Sequence, residues 1–301
     1  MASKKRPGGF GFGLNLTAPG TVITLGFIAL AIGMGILLSH GVTPTSPLSD
    51  PGETGDIELV IETPVPNDDK GLQLKTLKFR ECGSKAAVGL LVDRSGSMAG
   101  KKMSDLKAAL TSFTGGLSNE SVIGMSSFSS NDGSIAVRED IPFSRYGDAK
   151  TQTGFAIRSL VANGATNTRT AFLFMRDKIL AAKEAFPEQE FALIFLSDGI
   201  PEMNPADCSS GRQYSNRCFA NSQDPTIPPS VPQEIKDAGI RIFAIAIYDA
   251  NKPDDNFFLP DMRAMMQKIA TDASSYYETP DTSKLKEIYK SIAQKICNDI
   301  K

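Results

Sequence analysis

The stretch at residues 86–97, AAVGLLVDRSGS, decides the fold. Its first part, Ala86 to Val92, carries no polar side chain, and such an unbroken run is typical of a β-strand that is buried on both faces of a sheet. The run then changes to polar residues at Asp93, Ser95 and Ser97. In doubly wound α/β folds, ligands bind just beyond the carboxyl ends of the strands, so the stretch predicts both a central strand and a candidate site.

Similar patterns recur along the rest of the chain. Apolar runs predict further buried strands at Val122–Phe128, Phe191–Leu196 and Ile242–Ile247. We expect an edge strand at Ser134–Arg138. Apolar residues at helical spacing predict helices that contain residues 103–113, 168–186, 262–269 and 285–296. This alternation indicates the α/β class, with a doubly wound, Rossmann-like and mainly parallel sheet flanked by helices.

The N-terminal residues predict a membrane anchor. Residues 1–20 contain Lys4, Lys5 and Arg6 and no acidic residue, and residues 21–39 contain no charge. A helix over residues 21–39 would be about 28 Å long, close to the thickness of a bilayer's hydrocarbon core. Because basic residues stay on the cytoplasmic side, we expect a cytoplasmic N-terminus, a single transmembrane signal-anchor helix in the cell membrane and an extracytoplasmic remainder.

Two alternatives concern this anchor. A cleaved signal peptide would also place the remainder outside the cytoplasm, although its apolar core is usually shorter. Small residues four positions apart, such as Ala29 and Gly33, could let two anchors pack closely and so form a homo-oligomer.

The remaining chain divides into a linker, a short leading segment and a large domain. Residues 40–56 are rich in Pro, Ser, Thr and Gly, which predicts a semi-rigid linker. Residues 57–81 alternate apolar and polar side chains around a turn-like sequence, which predicts a short β-hairpin. We assign residues 82–298 to the main domain, with an insertion at 200–232 that holds six of the eighteen prolines.

The composition excludes several classes of function. The chain has 301 residues, with 32 basic and 34 acidic side chains and a net charge of −2. No basic surface of the size that nucleic-acid binding requires is expected from this balance. The only histidine is His40, which lies before the main domain. Histidine-based catalysis and histidine-ligated zinc are therefore not expected.

Three polar clusters lie next to predicted strands or helices. Asp93, Ser95 and Ser97 follow the first strand, Thr166 precedes a helix, and Asp198 follows the strand that ends at Leu196. Each cluster alone could be a helix cap. Two carboxylates that converge at strand ends would repel each other unless a cation lay between them. Hydroxyl and carboxylate oxygens are hard ligands, so the clusters predict a site for Mg²⁺, or for Mn²⁺ or Ca²⁺, rather than for zinc.

These elements, in this order and spacing, resemble the von Willebrand factor type A domain family over roughly residues 84–298. In that family the corresponding elements form the metal-ion-dependent adhesion site. The resemblance implies that Ser95, Ser97 and Thr166 contact the metal through their hydroxyls. It implies that Asp93 and Asp198 contact the metal directly or through water. It further implies a partner whose acidic side chain completes the coordination of the metal.

The motifs of three enzyme classes are incomplete in this chain. Phosphatases that use Asp-x-Asp need a second carboxylate where this chain has Ser95. Serine hydrolases need Gly-x-Ser-x-Gly and a histidine partner. The stretch from Gly96 to Lys101 is one residue too short for a phosphate-binding P-loop. We therefore do not expect an enzyme, and a weak metal hydrolase is the remaining enzymatic alternative.

The four cysteines, Cys82, Cys208, Cys218 and Cys297, allow three pairings. Cys208 and Cys218 would close a short loop with each other. The family resemblance implies a bridge between Cys82 and Cys297, because members often join the two ends of the domain in this way. Disulfides fit the oxidising exterior that the anchor implies, and four free thiols in a reducing compartment are the alternative.

The insertion directly follows Asp198, so we expect it to emerge beside the candidate site. A long loop at such a position is a natural specificity element. We expect its contact side chains to be Arg212, Tyr214, Arg217 and Phe219. A solvated loop without a partner is the alternative.

Together these features predict a membrane-anchored, extracytoplasmic binding or adhesion module. A divalent cation, Mg²⁺ or else Mn²⁺ or Ca²⁺, would capture an acidic group on a protein or matrix ligand, and nucleic acid would not be a partner. The alternative is a structural or assembly component of a surface appendage or envelope complex.

Overall fold

The computed structural model describes residues 85–129, 136–202, 212–215 and 217–299. All of them belong to the unit Leu59–Lys301. The predicted basic N-terminus (1–20), anchor (21–39), linker (40–56) and hairpin (57–81) lie outside the described residues and stay predictions. Among the helices in the described part of the chain, none combines the length and the apolar character needed to cross a membrane.

The described strands form a six-stranded sheet and a separate two-stranded hairpin. In chain order they are β1 (Ala86–Asp93), β2 (Val122–Phe128), β3 (Val137–Arg145), β4 (Glu190–Ser197), β5 (Arg212–Tyr214), β6 (Arg217–Phe219), β7 (Arg241–Ile247) and β8 (Tyr276–Thr279). The large sheet has the order β3-β2-β1-β4-β7-β8, and its pairs are parallel except for the antiparallel pair β2–β3. The prediction of a mainly parallel α/β sheet is confirmed.

Helices cover both faces of the large sheet. They are α1 (Lys101–Thr114), α2 (Tyr146–Arg158), α3 (Thr168–Ala185), α4 (Val231–Asp237), α5 (Pro253–Ile269) and α6 (Leu285–Asp299). Side chains of α1, α2 and α6 share one apolar core with Leu90 of β1. Those of α3, α4 and α5 share the other core with Leu91. Successive residues of a strand point to opposite faces, so the apolar run at 86–92 of β1 serves both cores.

The edge of the sheet differs from the sequence prediction. We predicted an edge strand at Ser134–Arg138, of which residues 134–135 lie outside the described residues; in the described part, β3 runs from Val137 to Arg145 and is antiparallel to β2. Only Val137 and Ile141 of β3 are buried, so most of the strand is polar and carries no unbroken apolar run. The short β8 and the helix α2, whose apolar residues are few, escaped prediction for the same reason.

The topology places two strand ends side by side. β1 and β4 are neighbouring parallel strands, with Val92 paired to Leu196. Asp93 is the last residue of β1 and Asp198 directly follows β4, so the two carboxylates emerge at the same edge of the sheet. This is the edge at which doubly wound folds bind ligands.

Candidate metal centre

Asp93, the last residue of β1, has a completely buried carboxylate. The backbone N–H of Ser95 donates a hydrogen bond to its Oδ1 (2.7 Å), and Ser197 Oγ donates one to its Oδ2 (2.5 Å). Within the described residues, the hydrogen bonds to this carboxylate come from neutral donors. These hydrogen bonds therefore bring no positive charge to the carboxylate.

Asp198 follows β4 and lies next to the loop after β1. Ser97 Oγ donates to its Oδ1 (2.6 Å), and Lys102 Nζ donates to its Oδ2 (2.5 Å). The hydroxyl oxygens of Ser95 and Ser97 lie 3.0 Å apart. Two carboxylates and two hydroxyls from distant parts of the chain thus converge in one cluster.

Thr166 brings a third hydroxyl to this cluster. The loop before it is fastened by a hydrogen bond from Gly96 N–H to Gly164 O (2.8 Å), and Gly164 has a φ of +80°, which favours glycine. A methyl group placed on Gly199 would lie 3.5 Å from Thr166 Oγ1 and 3.9 Å from Ser97 Oγ. The two hydroxyls therefore both lie close to Gly199, the residue after Asp198.

The environment of Asp93 disfavours its ionised form. Burial, and then the negative charge of Asp198, raise the pKa of Asp93 to about 7, although hydrogen bonds from Ser197 and Ser95 oppose the shift. Two neighbouring carboxylates disfavour each other's ionised form, and a nearby cation reverses this effect. The electrostatics therefore favour a cation at this point.

The donor set fits a hard divalent cation. The cluster offers carboxylate and hydroxyl oxygens and no sulfur or imidazole nitrogen, which suits Mg²⁺, Mn²⁺ or Ca²⁺. Within the described residues, no group of three histidine, cysteine, aspartate or glutamate side chains could hold a metal. Three of the five donors here are hydroxyls. The residues that could hold a cation are Asp93, Ser95, Ser97, Thr166 and Asp198.

Two residues of this cluster have roles that the sequence did not indicate: Ser197, which belongs to the polar cluster after the strand that ends at Leu196, and Lys102. Ser197 positions the Asp93 carboxylate, and Lys102 pairs with Asp198. Ser197 could have been found, because it directly precedes Asp198 at the end of an apolar run. Lys102 follows another lysine near the start of a predicted helix. Nothing in the neighbouring sequence distinguishes it from a solvent-exposed lysine.

The described part of the insertion packs beside the cluster. Strands β5 and β6 pair as an antiparallel hairpin. Arg217 of β6 donates from Nε to Glu202 (2.5 Å) and from Nη1 to Asp255 (3.1 Å). Its Nη2 would lie 3.9 Å from a methyl group on Gly199. A pocket next to Asp198 is lined by Arg217 among other residues.

The four predicted contact residues of the insertion have different environments. Arg212 and Tyr214 are exposed, and both pack on the ring of Phe257 in α5. Arg217 is partly buried between its two acidic partners. Phe219 is only 7% exposed and belongs to an apolar core. The expectation that Phe219 contacts a partner is therefore wrong, since its ring stabilises the hairpin from within.

The cysteines are only partly described. Cys218 and Cys297 are each disulfide-bonded. Their predicted partners, Cys208 and Cys82, lie outside the described residues. The pairing itself stays a prediction.

Several solved structures share this fold. The pilus adhesin SpaC from Lactobacillus rhamnosus GG matches with a TM-score of 0.54 and 17% identity, over 70% of this chain and 30% of the SpaC chain. The vWF domain of the type V pili tip protein Mfa5 from Porphyromonas gingivalis matches with a TM-score of 0.53 and 14% identity, over 72% and 96% of the two chains. Proximal thread matrix protein 1 from the mussel byssus matches with a TM-score of 0.52 and 18% identity, over 71% and 47%.

Sequence comparison gives a family-level result. No curated protein sequence matches the chain. The model of the von Willebrand factor type A domain matches residues 88–291, a range that contains all five oxygen donors of the candidate centre. With this match and the α/β fold described above, the chain belongs to the von Willebrand factor type A domain family.

Proposed function

We propose that the protein is a binding module that uses a divalent cation to capture an acidic group on a protein or matrix ligand. One observation carries this proposal: two buried carboxylates, Asp93 and Asp198, lie in one cluster with three nearby hydroxyls. Such an arrangement is unfavourable without a cation and complete enough to hold one.

The charge of the donors explains the preference for an acidic ligand. A divalent cation would supply an electrophilic centre to which an external carboxylate oxygen can bind. Of the five candidate donors, Asp93 and Asp198 carry a charge, and Lys102 already compensates Asp198. The hydroxyls of Ser95, Ser97 and Thr166 add no negative charge. The centre would therefore keep positive character and attract an anionic group.

The five candidate donors differ in exposure. Asp93, Ser95, Thr166 and Asp198 are buried, whereas Ser97 is partly exposed. A ligand would therefore approach past the loop that follows β1. The neighbouring hairpin presents the exposed Arg212 and Tyr214 on the side of α5, and these side chains support a role in selecting the partner.

The cellular placement is also proposed. The uncharged stretch at 21–39, with basic residues before it, supports a membrane anchor and an extracytoplasmic domain. The disulfide-bonded state of Cys218 and Cys297 supports the same oxidising side of the membrane.

A structural role in a surface appendage is the second candidate. Two proteins of similar fold are described as a pilus adhesin and a pili tip protein. Chelation distinguishes the candidates on the native cell surface. If EDTA abolishes ligand binding and leaves the protein's assemblies intact, the result supports the adhesion proposal. If the assemblies dissociate in EDTA, the result supports the structural role.

The first test concerns the cation. Calorimetric titration of the full chain with Mg²⁺ should show one site, and Thr166→Val should weaken it because a hydroxyl donor is replaced by a methyl group. Thr153→Val is the matched control: Thr153 is equally buried, but its hydroxyl donates within α2 to Ala149 O. Unchanged Mg²⁺ affinity in Thr166→Val would contradict the proposed centre.

The second test concerns the acidic ligand. Immobilised poly-glutamate and poly-glutamine serve as probes of the same backbone with and without carboxylates. We expect binding to poly-glutamate in Mg²⁺ and its loss in EDTA. Equal binding to both surfaces, or binding that survives EDTA, would refute capture of a carboxylate by the cation.

A further inference from the structure

The side chain of Lys102 reaches the candidate centre, whereas that of its neighbour Lys101 does not. Its Nζ donates to Asp198 Oδ2 at 2.5 Å, with side-chain exposures of 14% for Lys102 and 0% for Asp198. The side chain of Lys101 is 70% exposed and pairs with Asp105 four residues later. Lys102 thus points to a buried carboxylate, and Lys101 points to solvent.

The position of Lys102 in its helix is electrostatically unfavourable by itself. It lies in the first turn of α1, which contains no acidic residue. The N-terminus of a helix carries partial positive charge and repels a cation. Burial of the ammonium adds a further cost unless a carboxylate compensates it. Asp198, from the distant end of β4, supplies that compensation.

We propose that Lys102 is a tethered competitor that the divalent cation must overcome to use Asp198. This inference rests on the proposed function. Asp198 has two oxygens, and one accepts from Ser97 while the other accepts from Lys102. A divalent cation among the hydroxyls would repel the ammonium and draw on the same carboxylate charge. Cation binding therefore weakens the Lys102–Asp198 pair, and the domain binds the metal less tightly than its donors alone would allow.

The competitor also has a structural consequence. Without a metal, the ammonium offsets one of the two buried carboxylates and so stabilises the empty form of the domain. The lysine stem is long and flexible, and Lys102 is partly exposed, so its ammonium can turn toward solvent when a cation arrives. Lys102 thus sets the cation concentration at which the domain becomes competent to bind its ligand.

The test compares three variants of the full chain. Lys102→Met keeps the length of the side chain and removes its charge, Lys102→Arg keeps the charge, and Lys101→Met is the control on the solvent side. Mg²⁺ affinity is measured by calorimetry, and thermal stability is measured in EDTA. We expect Lys102→Met to bind Mg²⁺ about tenfold more tightly, since a charged hydrogen bond no longer opposes the cation.

We further expect Lys102→Met to melt at a lower temperature in EDTA and to recover the difference in saturating Mg²⁺. Lys102→Arg and Lys101→Met should stay within about threefold of the wild-type affinity. Unchanged or weaker Mg²⁺ binding by Lys102→Met, with binding intact in the wild type, would overturn the competitor role alone. A lack of Mg²⁺ uptake by the wild type and every variant would overturn the proposed function as well.

Discussion

Two charged clusters lie side by side at the carboxyl edge of the sheet, and each contains two carboxylates and one basic side chain. The aspartate cluster consists of Asp93, Asp198 and Lys102. The arginine cluster consists of Arg217, Glu202 and Asp255. Their formal charges are equal, yet the basic side chain contacts both carboxylates in the arginine cluster and only one in the aspartate cluster.

The difference follows from the geometry of the two cations. The planar guanidinium of Arg217 presents several donors and reaches two carboxylates at once, whereas the ammonium of Lys102 is a single point of charge. Burial raises the pKa of Glu202, but the charge and hydrogen bond of Arg217 oppose the shift. The Asp93 carboxylate instead accepts its hydrogen bonds from neutral donors, Ser95 N–H and Ser197 Oγ. The arginine cluster is complete by itself, and the aspartate cluster has room for another cation.

The strongest way to break this comparison is to neutralise Asp93. Asp93→Asn should weaken Mg²⁺ binding about 100-fold, because the charge of the ligands sets cation affinity. In EDTA at pH 8 the same variant should be at least as stable as the wild type. The amide can accept from Ser95 and donate to Ser197 Oγ, which also lies 3.3 Å from Gly199 O. Calorimetry and thermal melting in EDTA measure the two effects.

In the arginine cluster, removal of the guanidinium should destabilise the protein in EDTA, in contrast to Asp93→Asn. Arg217→Met leaves Glu202 and Asp255 partly buried without their shared partner, which should lower the free energy of unfolding by about 2 kcal/mol. Urea unfolding in EDTA measures this loss, and addition of Glu202→Gln to the variant should restore part of it. A variant as stable as the wild type would show that the arginine cluster is not self-sufficient.

A lower pH should weaken Mg²⁺ binding at the aspartate cluster. A proton on Asp93 competes with the cation, and the pKa of this carboxyl is raised to about 7. Lowering the pH from 8 to 6 should therefore weaken Mg²⁺ binding about tenfold. Calorimetry at pH 6 in buffers of different ionisation enthalpy should detect release of nearly one proton per bound cation. Equal affinity at both pH values would remove Asp93 from the centre.

The smallest effect is expected where the insertion meets solvent. Arg212 is half exposed in its pair with Asp261 and lies over the ring of Phe257. Arg212→Ala should cost about 0.5 kcal/mol of stability, because exposed ion pairs contribute little. Urea unfolding of Arg212→Ala and Arg217→Met under the same conditions measures the two losses of stability. A loss as large as that of Arg217→Met would mean that the hairpin depends on its outer contacts.

The candidate donors could be predicted because their positions follow from strand ends. The apolar runs at 86–92 in β1 and 191–196 in β4 must lie inside the sheet, and parallel neighbours bring Asp93 and Asp198 to one edge. Local sequence around Ser95 and Thr166 then supplies hydroxyls at that edge. Both steps depend on patterns within a few residues, which a sequence displays directly.

The partners of these donors could not be predicted, because they depend on side-chain directions across the chain. Lys102 and Lys101 have the same chemistry and adjacent positions, and only the orientation of α1 toward β4 separates them. Phe219 was misassigned for a related reason: a residue of a proline-rich insertion turned inward to the core. In β3, polar residues concealed a strand that only its pairing with β2 defines.

The most direct test of the central claim is to locate the cation in crystals of the full chain grown with Mn²⁺. The account predicts one anomalous peak within about 2–2.6 Å of hydroxyl oxygens of Ser95, Ser97 and Thr166. Asp93 and Asp198 should contact the ion directly or through water. A peak at another place in the domain, or none at saturating Mn²⁺, would contradict the account.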